Sequence, residues 1–371
     1  MTTPPVPVPR YGAEALADLP ESVLATFGVP AAGNVLGLSE RPRVCVLIVD
    51  GLGWELLRAH PAQTPFLSGL AGRPLTAGFP ATTATSLASL GTGLGPAMHG
   101  LLGYQVLVPG TGRLLNHLRW ADQVDPYVWQ PRRTAYERAT EAGVSVAYVA
   151  SGQYKGSGLS VATTRGARYA PADGLGQLVA QAEQALRDGD RSYVTVYHPD
   201  LDATGHLYGA GSTAWRHQLR FVDTLAERLT EVLPPDAVLY VTADHGMTNP
   251  AEKIDVEDSA ALSDGVALLG GEPRARHVYA EPGAAADVLA AWRATLGDRA
   301  WVLPRDEAVA AGWFGDTPPE MLARIGDVLA VPYADVAIVA RRAEPLESKL
   351  VGMHGSMVPA EQLVPLLTHH S

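Results

Sequence analysis

Residues 237–246 read Ala-Val-Leu-Tyr-Val-Thr-Ala-Asp-His-Gly. An unbroken apolar, β-branched run from Ala237 to Ala243 stops abruptly at Asp244-His245-Gly246. A strand with only one buried face would alternate polar and apolar residues. A continuous run instead fits a strand covered on both faces, as in parallel sheets flanked by helices. Open α/β sheets carry their ligand groups at the carboxyl ends of such strands. Asp244 and His245 are therefore expected at a ligand-bearing sheet edge. Arg43–Asp50 is a second run of this kind, with Val44–Val49 ending in Asp50-Gly51. Ser192–Tyr197 is a third, leading into Asp202 and His206, and Ser145–Ala150 is a fourth.

Helical patterns separate these runs. Trp54–Ala59 and Thr64–Ala71 read as short helices with a proline break between them, and Thr85–Leu90 reads as a helix start. Ala135–Ala142, Leu175–Asp188 and Trp215–Val232 read as longer helices, the last stopped by Pro234-Pro235. This alternation implies an α/β fold, a mostly parallel sheet with helices on both faces. After Gly246 the elements shorten and glycine and proline punctuate them: His277–Ala280, Ala284–Leu296, Trp301–Leu303, Arg305–Ala311 and Asp335–Val339. They read as a small α+β cap inserted at about 251–345 into a core of about 35–250 and 346–371, all within one domain, 1–371. Residues 1–10 are proline-rich and read as an extended, weakly ordered arm.

The bulk properties exclude several classes. A net charge of -11 argues against a nucleic-acid polymer as partner, because phosphate backbones attract an excess of lysine and arginine. It leaves room for a small anionic substrate where bound cations reverse the local field. The one cysteine, Cys45, lies inside a strand run and reads as a buried thiol. No leader pattern and no apolar run of bilayer length are visible, so the expectation is a soluble cytoplasmic protein with no membrane partner. Oligomeric state is not legible.

Three aspartates and three histidines at strand or turn ends, Asp50, Asp202, Asp244, His206, His245 and His354, are the ligand types a divalent-metal site needs. Singly, each has a plain structural reading. Asp50 can be a turn residue before Gly51, Asp202 a turn cap, and His206 and His354 surface or loop histidines. Asp244-His245 is harder to place that way, since two adjacent polar groups ending a buried strand need partners. Phe79-Pro-Ala-Thr-Thr-Ala-Thr-Ser86 opens a helix. Its hydroxyls can cap free amides, or one can serve as a nucleophile at a helix N-terminus.

Four stretches, in this order, resemble the alkaline phosphatase superfamily, and within it the nucleotide pyrophosphatase/phosphodiesterase branch. They are Leu47–Gly51, Phe79–Thr83 with Thr92-Gly93, Asp202–His206, and Ala243–Gly246 with Met353–Gly355. The resemblance covers about 44–357 and implies an alkaline-phosphatase-like fold. It implies that Asp50, Thr83, Asp244 and His245 hold one divalent ion and that Asp202, His206 and His354 hold another. Zinc is the first expectation and manganese the alternative. It further implies that Thr83 attacks phosphorus and forms a phospho-threonine intermediate, which water then hydrolyses.

Two positions depart from the branch. Tyr104 stands where an asparagine contacts the free phosphoryl oxygen, and Ala84 where an aromatic residue stacks on a nucleotide base. Tyr104 and Lys155, in the glycine-rich loop Ser151–Gly158, are the candidate substrate-binding residues. Arg274, Arg276 and His277 are either anion contacts or solvated surface charge. The expected function is hydrolysis of a small phosphorylated substrate, with a phosphodiester or pyrophosphate bond first. A phosphomonoesterase, a phosphonate hydrolase, a phosphomutase and a catalytically silent phosphometabolite-binding protein are the alternatives. A formylglycine-type sulfatase is disfavoured, because Cys45 is in a strand and not in the nucleophile turn.

Overall fold

The computed structural model describes residues 4–120 and 123–371. Seven strands build the central sheet: β1 (Arg43–Val49), β2 (Ala71–Thr76), β3 (Ser145–Ala150), β4 (Arg168–Pro171), β5 (Ser192–His198), β6 (Ala237–Thr242) and β7 (Leu363–His370). Their order is β2-β7-β6-β1-β5-β3-β4. The pairings β6-β1-β5-β3-β4 are parallel, and β7 runs antiparallel between β6 and β2. The mostly parallel sheet expected from the apolar runs is present. Every residue of β5 and β6 is buried, so both faces are covered. Each fully buried valine, leucine or isoleucine contributes roughly 1.5–3 kcal/mol of transfer free energy.

Register puts the chemistry at one edge. Val49 pairs with His198, and Ile48 pairs with Thr242. The chain therefore leaves β1, β5 and β6 side by side, and Asp50, Asp202 and Asp244 follow within a few residues.

Four helices matter for the site and its support: α1 (Thr83–Thr92), α2 (Leu175–Leu186), α3 (Asp200–Tyr208) and α4 (Thr213–Glu231). In α4 the buried residues Trp215, Leu219, Val222, Leu225, Ala226 and Leu229 recur at three- and four-residue intervals, one apolar face of a helix. Ser212 caps it by accepting from the Trp215 amide at 3.2 Å.

Three strands of the central sheet escaped the sequence reading, the four-residue edge strand Arg168–Pro171 among them. Ala71–Thr76 contains Gly72, Arg73 and Pro74 and lies at the sheet edge, where a missing amide and exposed side chains are tolerated. The C-terminal Leu363–His370 has Pro365 within it and pairs antiparallel, so no helical crossover announces it.

A second sheet of four antiparallel strands runs in the order Val266–Glu272, Ala275–Ala280, Val328–Pro332, Ala300–Pro304. The helix Ala285–Leu296 packs on it through Val288, Trp292 and Leu296. Another core joins this sheet to segment 96–130, which the sequence pattern left unassigned. There Leu101, Val106, Leu115 and Trp129 pack with Trp301, Trp313 and Ile325. The expected weak order of the first residues is corrected from residue 4 onward; residues 1–3 lie outside the described residues. The Pro4 carbonyl accepts from Trp301 Nε1 at 2.8 Å, and Val6 and Val8 pack on the same core. The Val-Pro alternation gives an extended segment whose valines can seat while prolines need no amide partner.

Candidate active site

Asp50 follows β1 directly and is buried. Its Oδ2 accepts from the Tyr197 hydroxyl, while Oδ1 has no hydrogen-bond partner among the described residues. Asp244 follows β6 after one residue. Its Oδ1 accepts from the amides of Gly51 at 3.1 Å and His245 at 2.9 Å, and its Oδ2 has no hydrogen-bond partner among the described residues. Gly51 has φ +75°, and a Cβ there would lie 3.0 Å from the Asp202 backbone. Glycine thus lets the turn after β1 approach α3.

Asp202 and His206 sit one helical turn apart on α3, with His206 Nε2 3.1 Å from Asp202 Oδ2. Among the described residues Asp202 Oδ1 has no hydrogen-bond partner, and it lies 3.9 Å from His354 Nε2. The His245 and His354 rings stack at 3.6 Å between centroids. All three histidines are anchored alike. Nδ1–H donates to a backbone carbonyl, that of Gly352 for His206 (2.8 Å), Gly246 for His245 (2.9 Å) and Ala81 for His354 (2.9 Å). This makes Nδ1 the hydrogen-bonded nitrogen of each ring and turns each Nε2 toward the carboxylates.

Thr83 is the first residue of α1. Thr82 precedes it in extended conformation, and its side chain makes no cap bond. The first intrahelical bond is made by Ser86 to Thr82. Thr83 Oγ is 3.2 Å from His245 Nε2, which in turn is 3.4 Å from Asp50 Oδ1 and 3.5 Å from Asp244 Oδ2. The structure thus brings together Asp50, Thr83, Asp202, His206, Asp244, His245 and His354. Donor atoms of Asp202, His206 and His354 lie within 4.8 Å of one another, and so do those of Asp50, Asp202 and His245. Asp202 belongs to both groups.

The electrostatics are those of too many buried carboxylates. Burial, with the charges of Asp244 and Asp202, pushes Asp50 well above the carboxylate range. Asp244 is raised by burial and by Asp202, despite His245 beside it. Burial also disfavours the Asp202 anion, but the adjoining His206 outweighs it and holds Asp202 low. His206 is raised to about 9, since Asp202 overcomes its desolvation. His354 is pushed down by burial and by His245.

The two candidate substrate residues fare differently. Tyr104 lines a cavity that also reaches Thr83, but its hydroxyl donates to Glu347 Oε1 at 2.9 Å. Lys155 is exposed at the end of a short turn and is not on the cavity wall, although Gln153, Tyr154 and Ser157 are. The loop turns these neighbours inward and the lysine out to water. Arg274 and Arg276 are neither anion contacts nor solvated. Both are buried and paired, Arg274 with Glu361 and Arg276 with Glu344, each at 2.7 Å. The His277 ring accepts from the Gly326 amide at 3.1 Å. Cys45 is buried, and burial pushes its thiol up to about 12, so it is inert.

Two residues at the site were missed. Tyr197 is the next-to-last residue of β5 and its phenol donates to Asp50; a hydroxyl at the carboxyl end of an otherwise apolar run was the signal that could have found it. Glu272, at the end of Val266–Glu272, is buried, with Oε2 3.7 Å from His354 Nδ1. Burial raises it to about 8. No sequence signal singled it out.

Among the described residues no helix is long and apolar enough to cross a membrane. The family described as type I phosphodiesterase / nucleotide pyrophosphatase matches residues 44–357. The fold is similar to that of murine ectonucleotide pyrophosphatase/phosphodiesterase 5, with TM-score 0.71 and 19% identity over 89% of this chain and 88% of that one. It is also similar to phosphonoacetate hydrolase from Sinorhizobium meliloti, with TM-score 0.67 and 20% identity over 89% of this chain and 90% of that one. Matched along most of its length and carrying its polar groups at the edge of an alkaline-phosphatase-like sheet, the chain belongs to the type I phosphodiesterase / nucleotide pyrophosphatase family of phosphoester hydrolases.

Proposed function

We propose that the protein hydrolyses a phosphodiester or pyrophosphate bond with Thr83 as nucleophile. One observation carries this reading. The Thr83 hydroxyl opens α1 beside His245, in a pocket where Asp50, Asp202 and Asp244 each keep an oxygen without a hydrogen-bond partner. A buried carboxylate oxygen with no donor costs several kcal/mol unless a cation meets it. The donor set of three carboxylates and three Nε2 lone pairs therefore fits divalent cations. Asp50, Thr83, Asp244 and His245 would hold one, and Asp202, His206 and His354 the other; Asp202 is near enough to both groups to be shared. Mixed oxygen and imidazole donors suit zinc or manganese. When bound, two such ions supply positive charge at the reacting phosphoryl group and acidify a coordinated hydroxyl.

The residues of the chain do the rest. Tyr197 donates to Asp50 and orients its free oxygen. The first amides of α1, before the Ser86 bond, are placed to donate to a phosphoryl oxygen. Thr83 Oγ gives up its proton to water and bonds to phosphorus as the opposite P–O ester bond breaks, the departing oxygen taking up a proton from water. Water then cleaves the phospho-threonine and frees Thr83. Tyr104 can contact a phosphoryl oxygen only by giving up Glu347, which makes it a weaker substrate ligand than an amide would be. An inactive form of the murine relative, with a threonine replaced by alanine, is known in complex with AMP. That is consistent with a threonine nucleophile.

A phosphonate or phosphomonoester substrate is the second reading, favoured by the likeness to phosphonoacetate hydrolase. Rates on bis-4-nitrophenyl phosphate, 4-nitrophenyl phosphate and phosphonoacetate, each with and without chelator between about pH 6 and 10, separate the readings. The diester should be the best substrate and lose turnover on chelation. Metal-dependent turnover confined to the monoester or the phosphonate would replace the first reading with the second. No metal-dependent turnover of any of them would remove both and leave a binding protein.

A further inference from the structure

Two cavities flank Thr83, and they differ in chemistry. The first, of about 320 Å³, is walled by Tyr148, Tyr154, Tyr169 and Tyr197 and contains no lysine or arginine among its described lining residues. The second, of about 300 Å³, lies on the Asp202, His206 and His354 side, and Glu272 and Glu347 contribute to its wall. Arg119 is the one lysine or arginine there among the described residues. Its side chain is mostly exposed, 3.9 Å from Glu347. Glu347 is already engaged by Tyr104.

Glu272 is different. Its side chain is 7% exposed, and its Oε1 has no hydrogen-bond partner among the described residues. The nearby Arg276 is committed to Glu344 through two bonds of 3.1 and 2.7 Å. Gly355 makes room for the carboxyl, since a Cβ at 355 would lie 2.9 Å from Glu272 Cγ. The second sheet thus brings a carboxyl group with one unpartnered oxygen to the wall of a cavity that opens on the nucleophile, with the Thr82 hydroxyl and Arg276 beside it. It lies on the Nδ1 side of His354, away from the Nε2 that faces Asp202.

We infer that this second cavity receives an ammonium-bearing substituent of the substrate, with Glu272 as the carboxylate that meets it. The inference rests on the phosphodiesterase reading above and narrows its substrate class. A buried acceptor left unpaired discriminates strongly in favour of a ligand that brings a donor, and more so a charged one. The tyrosine-walled cavity takes the other, uncharged substituent.

The test uses two diesters of matched size and the same leaving group, 2-aminoethyl 4-nitrophenyl phosphate and ethyl 4-nitrophenyl phosphate, with the metal-loaded enzyme. The aminoethyl ester should be preferred in kcat/KM by at least about tenfold. In Glu272→Gln the preference should shrink to within about twofold, and Glu272→Asp should keep part of it. Should the variants fail to fold, wild-type inhibition decides. Ethanolamine phosphate should compete with bis-4-nitrophenyl phosphate at least about tenfold more tightly than ethyl phosphate. Equal rates and equal inhibition, or a preference that survives Glu272→Gln, would overturn the inference while leaving the phosphodiesterase reading intact. Failure to turn over either ester or bis-4-nitrophenyl phosphate would instead remove the reading on which it rests.

Discussion

The protein holds two groups of histidines, and they are treated in opposite ways. In the core shared with the second sheet, His117 donates from Nδ1 to the Gly103 carbonyl at 2.6 Å and accepts at Nε2 from the Trp129 indole at 2.9 Å. His99 accepts from the Leu101 amide and contacts the Ser89 hydroxyl at 3.1 Å. Both rings are neutral and satisfied by neutral partners. Burial pushes them down, to about 4 and about 3 respectively. At the edge of the parallel sheet, His206, His245 and His354 are equally anchored through Nδ1, yet each Nε2 faces carboxylates, and three of the carboxylate oxygens have no hydrogen-bond partner. Burial of a histidine is therefore uninformative by itself. The orphaned carboxylate opposite it distinguishes a site built for a cation from a packed core.

The largest expected effect lies at Thr83. Thr83→Ala should lower kcat for a diester by at least about 10⁴-fold, with metal content retained. Activity above a tenth of wild type would mean that the pocket acts without this hydroxyl.

Asp50→Asn should cut turnover by at least about 100-fold. The metal-free variant should nonetheless be more stable than metal-free wild type, by about 1–2 kcal/mol, because a carboxyl whose ionisation burial and its neighbours oppose is gone. Urea denaturation of both in chelator checks the sign. A less stable variant would show that the acidic edge is a satisfied network like the other core.

On the other side of the comparison, His117→Ala should cost about 2–4 kcal/mol of stability, since it opens a cavity and strands the Trp129 donor. Metal content should not change.

A pH series sharpens the contrast. The folded-state pKa of His117, about 4, lies below its ordinary value. The unfolded chain therefore binds the extra proton, and the stabilising contribution is fully present above about pH 6.5 and lost as pH falls toward 4. The stability gap between wild type and His117→Asn should narrow across that window, by up to about 1.4 kcal/mol per pH unit. Taking the difference cancels the carboxylates of the site, which titrate alike in both proteins. The smallest effect is expected for Lys155→Ala, under about twofold in kcat/KM, because this side chain points to solvent off the cavity wall.

How much of this was legible beforehand follows from the kind of signal each part emits. Continuous apolar runs ending in Asp50 and Asp244 marked strands β1 and β6 and the edge between them, because both-face burial leaves no polar residue until the chain leaves the sheet. The 202/206 pair was legible as a spacing, and α3 realises it over one turn. Strand β2 was not legible. At a sheet edge Gly72, Arg73 and Pro74 satisfy weak demands, and their composition mimics a loop. Segment 96–130 was silent because its apolar residues serve a core assembled from distant parts of the chain. Arg274 and Arg276 misled for a related reason. Their partners, Glu361 and Glu344, lie 87 and 68 residues away, a pairing no local pattern reveals. Lys155 was singled out by rarity and loop context, neither of which fixes the direction of a side chain. Glu272 was missed because the cavity it lines is assembled from distant segments, which no local pattern reveals.

The central claim is that carboxylates orphaned at the sheet edge are there to meet two cations beside Thr83. Calorimetric titration of zinc into metal-stripped protein tests this most directly, with Asp202→Asn as the second sample, because Asp202 is common to both donor groups. Wild type should take up two equivalents, and the variant should lose at least one of them. Fewer than two in wild type, or uptake untouched by Asp202→Asn, would contradict the account.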